Sequence, residues 1–313
     1  MEQKLLNRPD TPIIELPNGG PIRNCARIFM KYEGANPTGT QKDRIARLHA
    51  RRAYRMGFEG MTVGTCGNYG AAIVKAAAEC GIGARVYVPS GFHPQRLLSF
   101  GKKLDLARTN GFVEDAITIS TAYAKDEGVY DANPGSVNAD IDRIGYSRIA
   151  EEIVSQLGAA PDFIAVPVGN GTTLVGIYWG FKEMASRGLI DSVPRFVGVA
   201  PPGTNPIVES FLRGSAYVDL DPGKIAITEV NEPLAGYHSV DGAEALAAIR
   251  ASRGLAVPVT EPEMALARGK IMSLSKVDVL PCSAAAVAAA WRLPPRSARN
   301  KSVVAIATGR PVA

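Results

Sequence analysis

The sequence predicts an α/β protein made of two doubly wound domains with parallel-rich sheets. Three observations carry that expectation. β-rich apolar runs alternate with helical patterns, one Asn-, Asp-, Gly- and Pro-rich stretch interrupts the rhythm, and 313 residues, 46% hydrophobic and 21% charged, suffice for two cores of roughly 100 to 200 residues each. The first set runs MTV (61–63), AAIVKAAAEC (71–80), ARVYVP (84–89) and QRLLSFGKKL (95–104). The second, larger set runs SRIAEEIVSQLG (147–158), FIAVPV (163–168), TTLVGIYWGFKEMASRG (172–188), RFVGVA (195–200), LAVPVT (255–260), a helix near 262–276, VDVLP (277–281), the alanine-rich helix after it, and SVVAIAT (302–308). Between them YDANPGSVNADIDRIG (130–145) lacks apolar periodicity and reads as a crossover between two units. The Gly/Pro-rich segment from Pro201 to Gly242 has little regular pattern beyond NPIVESFLRG and reads as a lid or entrance wall.

Composition excludes several classes. The N-terminal MEQKLLNRPD is charged where a signal peptide needs an apolar core, and the Ala/Val run from Ala284 to Trp291 falls far short of the roughly 20 residues of a membrane span, so a cytoplasmic protein without membrane association is expected. Four cysteines (25, 66, 80, 282) show no C-x-x-C spacing and, with histidines only at 49, 93 and 238, make no metal constellation; free thiols are expected. The net charge of +5 is dispersed except for Arg44, Arg47, Arg51, Arg52 and Arg55, which helical spacing gathers along one side of a helix. Without interleaved aromatics or a recognisable module they read as a solvated face, and no nucleic-acid partner is expected.

Four short stretches carry chemistry. In EGANPTGTQKDRIARLHARRAYR (33–55) Lys42 follows the breakers Asn36, Pro37 and Gly39 at the mouth of a helix, where the amide end repels a cation by roughly 0.3 to 1 kcal/mol. In FIAVPVGNGTTLVGIYWGFKEM a buried strand breaks at Gly169-Asn170-Gly171 and enters a helix opened by Thr172 and Thr173, a combination of bare backbone, free amides and hydroxyls that suits a phosphate. Neither a Walker loop nor G-x-G-x-x-G fits it, and the bland reading is a tight strand-to-helix turn. TCGNYGAA (65–72) is a second strand–turn–helix junction, with an Asn68 amide to offer. Thr308 ends the apolar strand SVVAIAT before Gly309, and taken alone is an ordinary strand-end hydroxyl.

In combination, Lys42 after N-P-T-G-T-Q, the T-C-G-N-Y-G turn, the G-N-G-T-T loop and the terminal A-T-G resemble the pyridoxal-phosphate (PLP) enzymes of the tryptophan-synthase-β group, fold type II. The likeness covers nearly the whole chain, beginning at Thr11-Pro12-Ile13, similar to the family's T-P-L. It implies a large PLP-binding domain of 1–45 and 146–313, a small mobile domain of 46–145, an active site in the interdomain cleft, and a homodimer. It further implies that Lys42 holds PLP covalently and, once released by an incoming amino acid, acts as the general base. The helix end disfavours the charged ammonium and so favours the neutral nucleophile. Asn68 would bond the ring oxygen, Gly169, Asn170, Gly171, Thr172 and Thr173 would hold the phosphate, and Thr308 would face the pyridine nitrogen. A neutral hydroxyl there makes the ring a weaker electron sink than an aspartate would, which favours elimination and replacement.

Thr65, Cys66, Gly67 and Tyr69 match the family's substrate-carboxylate turn, with Cys66 where Ser is usual and Tyr69 where Thr is usual; Cys66 reads as a partly buried structural thiol. NPTGTQKDR resembles the N-P-T-G-S-F-K-D-R of threonine synthases, whereas the length and the G-N-G-T-T-L-V-G frame resemble cysteine synthases equally well. The expected activity is β or β,γ elimination or replacement on a small amino acid carrying a leaving group. Alternatives are β-replacement on an O-activated serine, and a catalytically silent binding protein of the same fold. Threonine synthases carry N-P-Y-R-x-E-G for the substrate's phosphate; here Asn138 to Gly145 puts Asp142 at the arginine's place and Arg143 one residue late. A substrate other than O-phosphohomoserine is therefore expected.

Overall fold

The computed structural model describes residues 10–17, 27–92, 95–100, 105–294 and 299–312. Two compact units emerge, one built on Asn36–Gly145 and the other on Asp10–Ala35 with Tyr146–Pro311. Both are α/β with parallel-rich sheets. Cys25 and His93 lie outside the described residues, while Cys66, Cys80 and Cys282 are free thiols.

In the first unit four parallel strands, β3 (Gly60–Gly64), β4 (Gly83–Pro89), β5 (Asp105–Thr109) and β6 (Tyr130–Asp131), lie in the order β5-β4-β3-β6. Helices α1 (Lys42–Arg55), α2 (Asn68–Cys80), α3 (Gln95–Leu98) and α4 (Val113–Asp126) surround them. The crossover expected at 130–145 is more regular than its composition indicates. Tyr130 and Asp131 pair with Met61 and Thr62, and helix α5 (Asp140–Leu157) starts within the stretch. Two-residue strands carry no periodicity to read, which is why polar composition hid β6. The helix expected over 95–104 covers only 95–98, residues 99–100 forming a turn and 101–104 lying outside the described residues.

The second unit carries six strands in the order β1-β2-β10-β7-β8-β9: β1 (Ile13–Leu16), β2 (Arg27–Tyr32), β7 (Phe163–Pro167), β8 (Arg195–Ala200), β9 (Leu255–Pro258) and β10 (Ser302–Ala307). Only β1 runs antiparallel. Strand β7 is buried at every residue, the pattern of a parallel strand covered on both faces. Helices α6 (Thr172–Ser186), α7 (Pro206–Leu212), α8 (Gly242–Ala251), α9 (Glu261–Ser275) and α10 (Pro281–Trp291) complete it. Cys282 to Trp291 are all buried, alanine allowing the helix close approach. Thr11 anchors here: its Oγ1 donates to Glu33 at 2.7 Å, and its carbonyl accepts from the fully buried Lys31 Nζ, itself 2.7 Å from Glu152.

VDVLP (277–281) forms no strand. Pro281 takes the first position of α10, where a missing amide costs nothing, and the residues before it are tied locally: the Leu280 amide donates to the Gly309 carbonyl and the Tyr32 hydroxyl to that of Asp278.

Candidate active site

Lys42 is the first residue of α1; the N-cap residue Gln41 makes no side-chain cap, and the Lys42 amide donates to Thr40 Oγ1 at 3.3 Å. The N-P-T loop in front of it is pinned by Asp43, whose buried Oδ2 accepts from the Thr38 amide at 2.9 Å and the Thr38 hydroxyl at 2.8 Å. The Lys42 ammonium stands 5.2 Å from the centre of the Tyr69 ring, an attractive position for a cation that offsets part of the repulsion from the helix end.

Tyr69 belongs to the junction between β3 and α2. Gly67, with φ 135°, turns the chain into the helix in a backbone conformation that side chains rarely adopt. Its amide donates to Thr65 Oγ1 at 3.1 Å, so one donor of the expected carboxylate nest is already engaged. The Tyr69 hydroxyl donates to the Ala132 carbonyl at 2.8 Å, leaving the ring rather than the hydroxyl to face Lys42. Cys66 beside them is half-buried.

Arg96 carries no signal in the sequence. It is buried, donates from Nε to Asn68 Oδ1 at 2.9 Å, and donates through a guanidinium nitrogen to the Thr38 carbonyl. The contact fixes the Asn68 amide: with Oδ1 taken by a guanidinium, the NH₂ is the end left to donate to an oxygen. Nothing in the QRLL pattern signals this, because the contact joins residues far apart in the chain.

In the second unit Gly171, φ 85°, ends the loop after β7 and starts α6, again without a side-chain cap. The segment expected as a lid or entrance wall supports this loop. Asn205 Nδ2 donates to the carbonyls of Gly169 at 3.0 Å and Leu234 at 3.0 Å, Ser239 Oγ to Gly169 at 2.8 Å, and the Asp241 amide to Asn170 at 2.9 Å. The loop's acceptors are thus held from behind while the first-turn amides of α6 have no helical partner. Thr172 Oγ1 is buried with no partner among the described residues. Thr173, the second hydroxyl at this end, is also buried.

Thr308 follows β10, nearly buried, and its Oγ1 lies 2.8 Å from the Oγ of Ser283. Ser283, in the first turn of α10, also accepts from the Gly309 amide at 2.9 Å.

Other conspicuous groups serve the scaffold. His49 is fully buried, its ring nitrogens 3.0 Å from the Tyr130 hydroxyl and 3.1 Å from Asp142 Oδ1. Asp142, whose alignment with a phosphate-binding arginine implied a carboxylate facing substrate, therefore points into the core of its unit, and Arg143 is exposed. Burial drives the Tyr130 phenol well above its ordinary range, so it stays a neutral partner for the imidazole. The arginine row of α1 is largely half-buried rather than freely solvated, and Arg52 makes a bidentate pair with Asp140 at 2.5 and 2.6 Å. His238 sits 3.0 Å from Asp219 near the surface. No helix among the described residues is long and apolar enough to cross a membrane, and none of their acidic, His and Cys side chains cluster as a metal site.

Comparison with known proteins agrees with this geometry. The chain is 31% identical to threonine synthase of Methanosarcina acetivorans, covering 98% of this chain and 78% of that one. It is also 31% identical to threonine synthase of Methanocaldococcus jannaschii, covering 96% and 77%. Among solved structures, maize serine racemase superposes with a TM-score of 0.77 at 19% identity over 97% of this chain and 88% of that one, a likeness of fold. The model of the family "Pyridoxal-phosphate dependent enzyme" matches residues 5–309, so this chain belongs to the PLP-dependent enzymes and its cofactor is pyridoxal 5'-phosphate.

Proposed function

We propose that this enzyme catalyses β or β,γ elimination or replacement on a small amino acid carrying a leaving group, in the manner of threonine synthases but on a substrate other than O-phosphohomoserine. The observation that carries the reaction class is the strand end at Thr308: a neutral hydroxyl bonded to a second neutral hydroxyl, with no carboxylate among the described residues hydrogen-bonded to either. PLP, when bound, supplies an electron sink for the substrate's Cα, and a ring not forced into its protonated form relieves that charge best by expelling a leaving group.

The chain's own groups fit the cofactor. Thr172 Oγ1, buried and unpaired among the described residues, and the α6 amides would bind a phosphate at Gly169–Thr173. Asn68, its Oδ1 held by Arg96, would present its NH₂ to the phenolic oxygen. Lys42 Nζ would hold the cofactor and then take the proton from Cα. Thr65, Cys66 and Gly67 would meet the substrate carboxylate, with the Tyr69 ring limiting the space beside Lys42.

The substrate clause rests on Asp142. A phosphate-bearing substrate calls for paired charge-assisted bonds, and the position that would supply an arginine holds a carboxylate committed to His49. Borohydride reduction followed by peptide mapping tests the site: the adduct is expected on Lys42, and on any other lysine the assignment fails. Leaving-group release from a panel of O-activated serines and homoserines tests the substrate. Turnover of O-phosphohomoserine within tenfold of about 10⁴ M⁻¹s⁻¹ would overturn the substrate clause alone.

A further inference from the structure

Ser283 is fully buried in the first turn of α10, and its hydroxyl has three neighbours. Its oxygen accepts from the Gly309 amide at 2.9 Å, and it lies 2.8 Å from Thr308 Oγ1. The third neighbour is the Cys282 thiol, whose pKa burial pushes up to about 12, so that it remains a neutral S–H and a weak acceptor. The Ser283 hydrogen therefore has one strong acceptor among the described residues, Thr308 Oγ1. The reverse arrangement, Thr308 donating to Ser283, would leave the Ser283 hydrogen buried without an oxygen partner, which disfavours it by about fivefold to a hundredfold. With Ser283 donating, the Thr308 hydrogen is the one left to point at a ligand. The same turn is held a second time, by the Leu280 amide on the Gly309 carbonyl, so Thr308 cannot shift independently of α10.

We propose that Ser283 is a positioning residue that orients the Thr308 hydroxyl as a donor, so that the pyridine nitrogen of the cofactor lying against it is held as an unprotonated acceptor. The inference rests on the reading of Thr308 given above. A hydroxyl with its lone pairs free could accept from a protonated ring nitrogen as readily as donate to a bare one. A hydroxyl already accepting from Ser283 is biased to donate. The α10 serine thus decides what a neutral strand-end residue only permits.

The test is the enzyme reconstituted with PLP carrying ¹⁵N at the ring nitrogen, its chemical shift followed against pH. The wild type is expected to keep the unprotonated shift, and Ser283→Ala to raise the nitrogen's proton affinity by about two- to tenfold. Ser283→Thr, which restores a hydroxyl, should behave as wild type. In a Thr308→Val background Ser283→Ala should do nothing further, because the effect passes through Thr308. If Ser283→Ala does not fold, Ser283→Cys, close in volume but a poor donor, is expected to show the same shift. A wild-type titration in the alanine or cysteine variant, or an equal effect in the Thr308→Val background, would overturn the proposal. Failure of the wild type to bind PLP would instead sink the reading of the site itself.

Discussion

The chain makes the same local structure twice and uses it in opposite ways. At the junction of β3 and α2, and again at that of β7 and α6, a strand breaks at a glycine of positive φ and a helix begins with no side-chain cap. In the first, the polar groups around the turn are spent within the protein: the Gly67 amide on Thr65, Asn68 Oδ1 on Arg96, the Tyr69 hydroxyl on Ala132. In the second, the loop's carbonyls are engaged from behind by Asn205, Ser239 and Asp241, while Thr172 Oγ1 faces no partner among the described residues. A turn whose acceptors are used and whose donors are left over is suited to an anion. A turn whose groups are mostly committed presents one fixed amide and leaves few donors for the carboxylate that the proposed reading brings to it.

Gly171→Val should break the second junction with the largest effect. A Cβ there would lie 2.9 Å from that of Ala245 and 3.1 Å from the Asp241 carbonyl, at a φ of +85°. Left-handed strain of about 1 to 2 kcal/mol and overpacking of about 1 to 3 kcal/mol add. PLP retention and thermal midpoint should fall together; a variant that binds PLP normally would show that the loop's shape is not what holds the phosphate.

Thr172→Val separates function from folding. Without PLP the buried hydroxyl has no partner among the described residues, so removing it should leave the thermal midpoint of the apoenzyme unchanged or raised. With PLP it loses a bond to a charged group, worth about 1.5 to 3 kcal/mol, or roughly ten- to over a hundredfold in PLP affinity by equilibrium titration. Apoenzyme destabilised at unchanged affinity would assign Thr172 to the scaffold.

How much of this the sequence conveyed differs by junction. Fold class, the break at Gly169–Gly171 and the place of Lys42 at a helix start were legible because strand burial, glycine placement and a misplaced cation are local signals. Arg96, Asn205 and Ser283 were not, since each acts through a partner 25 or more positions away, and no spacing rule reports that. Asp142 shows the opposite failure: alignment set it at a ligand-binding position, but its helix turns it onto the buried His49.

Arg96→Met tests whether the first junction presents a fixed amide. Losing the guanidinium leaves Asn68 Oδ1 and the Thr38 carbonyl without that donor, at a cost of about 1 to 2 kcal/mol, or five- to thirtyfold in turnover with little change in apparent substrate affinity. Arg96→Lys should recover only part, a single ammonium being unable to reproduce the two-pronged contact. Full activity in the methionine variant would mean the Asn68 orientation is set elsewhere.

The smallest effect is expected from Cys66→Ser, which exchanges a thiol for the hydroxyl usual in the family beside Asn68. A catalytic thiolate needs an activating neighbour such as an imidazole. Of the two histidines among the described residues, His49 has both ring nitrogens engaged, by Tyr130 and Asp142, and His238 lies against Asp219. Cys66 is half-buried at a junction whose remaining polar groups are mostly committed, and the reading proposed above takes its sulfur as volume and a weak acceptor rather than a nucleophile. The serine variant should therefore keep kcat/KM within about threefold, a change below 1 kcal/mol, and should shift substrate preference, if at all, toward the more polar members of the leaving-group panel. A loss of a hundredfold or more, with PLP still bound, would make the thiol a participant and would turn the first junction from a presenting surface into a reacting one.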